Sequence, residues 1–302
     1  MKKALAGRIN YFEPAGFPLA VRRVCTGPEH APSHPHDLTE IKHQHDFCEL
    51  VVVIQGSALH WLEDGDFPVT AGDVFLLQGR QSHYFHDRKN LELINIMYDP
   101  VQIGLPEAEL RKLPGYCAMF MLEPSYRRRH RFASRLHLQR IPLARAEQLA
   151  DEMETECKEQ AAGYEAALRA KLIELIVYLS RAYNFSEAVE ARALLRVGHV
   201  IGALEQEYSK KWRLEDLQQI AGMSRSSLMR IFREATGVAP IAYLLRLRIQ
   251  KAMELLRNSD QPVTGVAFET GFHDSNYFAR QFRKIAGRSP ARYRKETGRS
   301  SR

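Results

Sequence analysis

Two groups of side chains in this 302-residue sequence have types and spacings that could do chemistry. The first is His43, His45 and Glu49, with His83 further along the chain. In an extended strand the side chains alternate between faces, so His43, His45, Phe47, Glu49, Val51 and Val53 share one side and three polar groups converge there. Such a set could contact a sugar or another polar small molecule, could ligate a divalent metal, or could be core polar groups satisfied by one another. His60, Trp61, His86 and Tyr98 are further candidates for the same pocket. The second group lies near the C-terminal end: Arg225, Ser226, Met229 and Arg230, then His273, Asp274, Ser275, Asn276, Ala279 and Arg280. A guanidinium can span O6 and N7 of guanine, which suits Arg230 and Arg280. Asn276 can pair with adenine, Asp274 can accept from cytosine N4, and Met229 and Ala279 offer apolar contact to a thymine methyl. Each has a plainer alternative: an arginine can hold a phosphate without reading sequence, and Asp274 can be a helix N-cap and nothing more.

The second group needs helices to present it, and the sequence supplies them twice. Arg230, Phe232, Arg233, Gly237, Pro240 and Tyr243 recur fifty residues later as Arg280, Phe282, Arg283, Gly287, Pro290 and Tyr293. In the first copy Leu214, Leu217, Ile220 and Ala221 carry helical spacing, Gly222-Met223 breaks it, and Ser224 caps a helix whose apolar face is Leu228, Ile231, Phe232 and Ala235. In the second, Val263, Val266, Ala267 and Thr270 lead to Gly271-Phe272, Asp274 caps, and Phe278, Phe282 and Ile285 are expected to face inward. Two helices joined by a short glycine-containing turn form a helix-turn-helix, whose second helix enters the DNA major groove. Residues 240–257 read as a connecting helix of roughly 27 Å at ~1.5 Å per residue, against ~34 Å between successive major-groove faces. One chain could then read two grooves from one side of a duplex.

Pro240…Tyr243…Arg246-Leu247…Ala252…Leu255-Leu256, followed by Gly271-Phe272…Ser275-Asn276-Tyr277-Phe278…Phe282-Arg283-Lys284…Gly287…Ser289-Pro290…Tyr293-Arg294, resembles the signature of the AraC/XylS family of bacterial transcription regulators. The resemblance implies that the outward positions named above contact DNA, with Arg230, Asp274 and Asn276 matching positions used that way in the rhamnose-responsive members. It also implies a homodimer and activation through contact with RNA polymerase.

Charge divides as this reading requires. Residues 194–302 hold 20 Lys+Arg and 10 Asp+Glu, a net of +10, which leaves 23 and 26, a net of −3, from chain totals of 43 and 36. Lys and Arg that neutralise phosphates release counterions and supply the sequence-independent part of DNA affinity. The chain has room for two domains, each with its own core. No apolar run approaches the ~18 residues of a membrane span, and no signal peptide is read at the start. Four cysteines without CxxC spacing fit reduced thiols in a cytoplasm.

Residues 27–37 read as loop, and the first forty are otherwise hard to place. A β-rich section follows: a strand over 49–55, a turn at Gly56, a return over 57–62, a hairpin turn over 63–66, then strands over 74–77, 82–86 and 91–98. His43-Gln44-His45-Asp46-Phe47-Cys48-Glu49, then Gly56, Gly72-Asp73 and His83, resembles the two motifs of the cupin barrel, with Gln78 and Arg80 where the second motif usually has proline and glycine. Many cupin enzymes bind metal through such residues, whereas the resemblance to regulators favours a sugar bound without metal. His43 through Val51 and Leu93-Ile94-Asn95-Ile96-Met97-Tyr98 are similar to the rhamnose-responsive activators, which makes L-rhamnose or a related sugar the leading effector. The basic run 127–131 could touch phosphate, but an isolated basic run outside the repeat reads more often as a solvated face.

Helices are expected over 141–160 and 164–183, the second with Leu168, Leu172, Leu175, Ile176 and Leu179 as a stripe to be buried against the barrel or a partner subunit. A linker is read over 184–190, with the domain cut near Ala188. The expectation is therefore an α+β multidomain chain. Residues 1–187 form a cupin-like antiparallel β-barrel with a helical dimerisation segment, and 188–302 an all-α double helix-turn-helix. Its function is expected to be promoter-DNA binding under control of a small-molecule effector, with no catalytic residues and no cofactor. The rival is a metal-dependent cupin enzyme or metal sensor fused to a DNA-binding module, with His43, His45, Glu49 and His83 as ligands.

Overall fold

Two long strands, of fifteen and sixteen residues, anchor the front half, and everything else in that half is arranged on them. In the computed structural model the described residues are 4–6, 12, 16–25, 42–62, 65–79, 81–127, 136–185 and 188–297. Contacts divide the chain into two compact units, Met1–Gly198 and His199–Arg302.

The first unit is built on an eight-stranded sheet: β1 (Ala4–Ala6), β2 (Leu19–Cys25), β3 (His43–His45), β4 (Cys48–Leu62), β5 (Gly65–Thr70), β6 (Asp73–Leu77), β7 (His83–Tyr98) and β8 (Leu136–His137). The order is β1-β3-β7-β4-β6-β8, with β2 also on β7 and β5 also on β4. Every pairing is antiparallel except β1 with β3. One buried cluster draws Val24 from β2, Val51 and Val53 from β4, Val69 from β5, Phe75 from β6 and Phe85 and Leu93 from β7. Five strands can share one cluster only if the sheet curls around it, so the fold is barrel-like, and the described pairings leave it open between β1 and β8. The alternate residues Leu50, Val52, Ile94 and Ile96 are equally buried and face outward. They lie on the side toward helices α1 (Arg140–Glu159) and α2 (Tyr164–Tyr183) and the short helical turns between Pro100 and Arg127, which include a π-helical segment, Cys117–Leu122. On that outer face Arg23 of β2 binds Glu92 of β7 and Glu147 and Asp151 of α1.

Two expected features change. Gly56 does not end a strand, because β4 runs through it with register shifts on either side. It stands at φ 74°, and a Cβ there would sit 2.1 Å from the Asn90 carbonyl oxygen, so the glycine permits a bulge. The runs 82–86 and 91–98 are likewise one strand, β7, which bends through Asp87 and Asn90 at positive φ. Of the expected turn 63–66, Gly65 and Asp66 are in β5, while 63–64 lie outside the described residues, as do 27–37, Arg80 and 128–131. The stripe on α2 is fully buried within this one chain, so it leaves nothing for a partner subunit. Each such side chain contributes roughly 1.5–3 kcal/mol relative to exposure.

The expected linker is partly helical: α3 (Val189–Gln206) begins inside it, and the division between the units falls within that helix. The second unit continues with α4 (Leu214–Ala221), α5 (Arg225–Thr236), α6 (Pro240–Asn258), α7 (Val263–Glu269), α8 (Ser275–Ala286) and α9 (Pro290–Thr297). The repeat is structural in detail. Ser224 and Asp274 each cap the following helix by accepting from the amide three residues on. Gly237 and Gly287 close α5 and α8 in the left-handed conformation, at φ 78° and 74°. Phe232 meets Tyr243 edge-to-face at 5.7 Å, and Phe282 meets Tyr293 the same way at 5.6 Å. Leu228, Ile231, Phe232 and Ala235 are all buried, as are Phe278 and Phe282. Ile285 is not: it is 40% exposed, and Ile220 is 37% exposed. Both sit at the edge of their helix's apolar stripe, where helical spacing alone does not settle burial.

Candidate effector pocket and nucleic-acid interface

Inside the sheet, β3 and β4 carry His43, His45 and Glu49 to the buried face, and β7 brings His83 to meet them. His45 Nε2 lies 3.0 Å and His83 Nε2 3.3 Å from the same oxygen, Glu49 Oε2. The tautomers follow from the other ring nitrogens. His45 Nδ1 is 2.8 Å from the Phe47 carbonyl oxygen and His83 Nδ1 is 3.2 Å from that of Gln81. A carbonyl can only accept, so both Nδ1 atoms carry hydrogen, and a neutral ring then turns an Nε2 lone pair toward the carboxylate. Three acceptors facing one another need a proton, a cation or a donor-bearing ligand among them. Burial pushes the Glu49 carboxyl up, but once protons occupy both Nε2 atoms the two imidazolium rings donate to it and their charge more than reverses this, holding it well below the usual carboxylate range.

The ligand atoms of His45, Glu49 and His83 lie within 4.8 Å of one another, in a geometry that fits a metal ion. His43 is buried beside them with its ring 4.3 Å from that of His83, but it is not in that set. Of the further candidates, His60 joins the interior, stacked between Phe85 at 4.4 Å and Phe75 at 5.1 Å. Trp61 is on the opposite face, stacked on Tyr84 with Lys42 Nζ 3.9 Å above its ring. His86 bonds Asp66 at 2.8 Å on the surface. Tyr98 pairs with Cys48 on the outward face, and burial drives its hydroxyl well above the usual tyrosine range.

In the second unit the inward residues of α5 and α8 are spent on the core, leaving the opposite face outside. Arg225, Ser226 and Arg230 are exposed, with Met229 half-buried; His273, Asp274, Asn276 and Arg280 are exposed, with Ser275 and Ala279 half-buried. Arg230 is held by Glu234 one turn away at 3.1 Å, and Arg280 lies over the Tyr277 ring at 5.9 Å. Ser226 is tied to the capping Ser224 at 3.1 Å.

Comparison with known proteins bears on both units. A helix-turn-helix domain model matches residues 217–296, and an AraC-like ligand binding domain model matches 30–176. The HTH-type transcriptional activator RhaR of Klebsiella pneumoniae subsp. pneumoniae is 30% identical over 284 residues, which is 93% of this chain and 95% of the relative. The chain belongs to the AraC family of transcription regulators. RhaR of Yersinia pestis bv. Antiqua is 30% identical over 263 residues, 87% of each chain. Among solved structures, the DNA-binding domain of AdpA in complex with a target DNA is 34% identical over 33% of this chain and 91% of that one, with a TM-score of 0.33. As an AraC-family member the protein is a DNA-binding transcription activator with a ligand-binding domain.

Sequence reasoning passed over two kinds of residue in this AraC-family chain. Tyr277, Arg283 and Lys284 of α8 are exposed, and although all three belong to the signature quoted above, none was assigned to the DNA face; the missing signal was which face is free, which needs the packing. Arg248 looks like another phosphate ligand by its charge and its position in the basic half. It is instead committed to the fold, donating to the carbonyl oxygens of Tyr208 at 2.7 Å and Lys210 at 2.8 Å, and burial lowers its basicity. Among the described residues no helix is long and apolar enough to cross a membrane.

Proposed function

We propose that this activator couples a sugar, L-rhamnose or a close relative, in the barrel interior to promoter binding by α5 and α8. In this reading residues 1–187 sense and 188–302 bind DNA. His43, His45, Glu49 and His83 contact the effector, and Arg225, Ser226, Met229, Arg230, His273, Asp274, Ser275, Asn276, Ala279 and Arg280 meet the duplex, with α6 holding the two reading helices toward one side of it. The observation that carries the effector assignment is the acceptor-only cluster: two Nε2 lone pairs and a carboxylate oxygen ask for donors, and a polyol presents several hydroxyls at once. The similarity to activators named RhaR supports the choice of sugar. The protein works as a cytoplasmic homodimer that engages RNA polymerase and catalyses no reaction. A ligand favouring one arrangement shifts the population toward it by no more than its differential affinity.

The test is titration of L-rhamnose and its epimers against promoter-DNA affinity and transcription, with Glu49→Gln as control. A sugar-dependent gain lost in the variant is expected, whereas no response to any sugar would sink the sensing role. A second reading, a bound divalent metal, is favoured by the same three ligand atoms and by the carbonyls that fix both imidazoles. His45, Glu49 and His83 would hold the ion, which would supply Lewis acidity and orient a ligand. Stoichiometric Fe, Mn, Ni or Zn in the purified protein, lost in His45→Ala, would establish that reading.

A further inference from the structure

We propose that the cavity at the edge of β2, where the inner-face residues Ala20 and Arg22 meet the end of the α1–α2 hairpin, binds a small carboxylic acid, at a site separate from the His45–Glu49–His83 cluster. None of those three residues lines it. The cavity measures about 120 Å³, and its walls include Phe12, Phe17, Tyr164 and Leu168. Arg22 and Gln160 share the lining with these apolar groups, so the space suits a single ring or a short aliphatic chain that carries a polar group.

What sets its chemistry is Arg22. Adjacent residues of β2 point to opposite faces, and the two neighbouring arginines there have opposite fates. Arg23, on the outer face, is bound by three carboxylates. Arg22 pairs in register with Asn95 on the inner face and also lines the cavity. Among the described residues its one hydrogen bond is long, from Nη1 to the Val21 carbonyl oxygen at 3.4 Å, and its buried Nε meets no partner there. Among the described residues no carboxylate reaches it. A guanidinium has five donors in a planar fork, and leaving one buried and unmet is costly; a carboxylate meets two at once and neutralises the charge. A neutral sugar would supply acceptors but not the charge.

Two helix ends meet in the cavity wall, the positive end of α2 and the negative end of α1, and their effects on an anion offset, so the charge of Arg22 decides. Tyr164, in the cavity wall, is the first residue of the 20-residue α2, after the Gly163 cap. Its N-terminus favours negative charge, while Glu165, the acidic residue of the first turn, is exposed and does not line the cavity. Gln160, at the C-cap of α1, offers an amide to a carboxylate oxygen. The acid group therefore seats on Arg22 and Gln160, with its apolar part between the aromatic walls.

The test uses the full chain and calorimetry with sodium benzoate and sodium butyrate, set against benzamide, butyramide and inorganic phosphate. The acids are expected to bind and raise the melting temperature, with their amides weaker by about tenfold or more and phosphate no better than the amides. Arg22→Gln is expected to lose acid binding while any L-rhamnose response persists. Equal binding of acid and amide would overturn the proposal, as would phosphate matching the acids. A single substitution that removed acid and sugar responses together would show one site rather than two. Should Arg22→Gln fail to fold, Cys157 reports instead, since it lines the cavity. In a Cys25→Ser background, saturating benzoate should slow its alkylation by iodoacetamide and benzamide should not. An alkylation rate indifferent to benzoate would refute the assignment.

Discussion

Arg230 and Arg280 occupy the same position in the two copies but stand in different settings, and this decides what each can do on DNA. Arg230 is paired with Glu234, yet an exposed pair of this kind is worth only about 0–1 kcal/mol, so a guanine edge can displace the carboxylate. Arg230→Ala is expected to weaken operator binding by ~1–3 kcal/mol and to relax the preference at one base pair. Competition with operators altered one pair at a time checks this, and a loss uniform across all sequences would reassign the side chain to a phosphate. Asp274 serves the helix by accepting from the Tyr277 amide. Asp274→Ser keeps that cap, so stability should hold to within a few tenths of a kcal/mol while any discrimination for cytosine disappears. If the base preference is unchanged too, Asp274 is a cap alone. Glu49 makes a pH prediction. Its folded value is lowered, so its contribution to stability is present above the unfolded carboxylate value and is lost as pH falls through the folded one. The melting temperature of Glu49→Gln should accordingly fall less steeply on acidification than that of the wild type.

At the level of elements, the second unit was legible because its signals are local. Caps, left-handed glycines and the Phe–Tyr pairs recur at fixed spacing, and each is satisfied within a few residues or one helix of itself. The sheet was less legible because its decisive facts lie across strands. Counting alternate residues from Glu49 puts Trp61 inside and His60 outside, yet the shifts around Gly56 reverse the parity, and Ala58, His60 and Leu62 face the interior. Nothing in a run of β-branched residues announces a bulge whose cause is the Asn90 carbonyl on another strand. Arg22 was missed for a related reason, because its face is fixed by register with β7. These contrasts separate two glycines. Gly237→Ala meets no atoms and bears only the left-handed backbone cost of roughly 1–2 kcal/mol, whereas Gly56→Ala bears that cost, collides with backbone as well, and should destabilise the first unit by clearly more. Chemical denaturation of both variants checks the ranking, and equal losses would mean that the bulge relaxes freely.

For the molecule as a whole, the division of charge has a measurable consequence. A net of +10 over residues 194–302 against −3 elsewhere places the counterion-releasing surface on the DNA-binding half. The logarithm of the binding constant should fall linearly with the logarithm of salt concentration, by ~0.9 for each phosphate neutralised, so that six to ten contacts would cost about 10³–10⁵ in affinity between 50 and 200 mM salt. Operator and scrambled duplexes should give nearly parallel lines, because phosphates carry no sequence, and Arg230→Ala should narrow the gap between them without changing either slope. If the effector acts by shifting population, adding L-rhamnose should raise the operator line and keep its slope. A slope that steepens with sugar would mean that the effector creates new phosphate contacts. A slope near zero on both duplexes would show that the faces of α5 and α8 do not meet the DNA backbone at all.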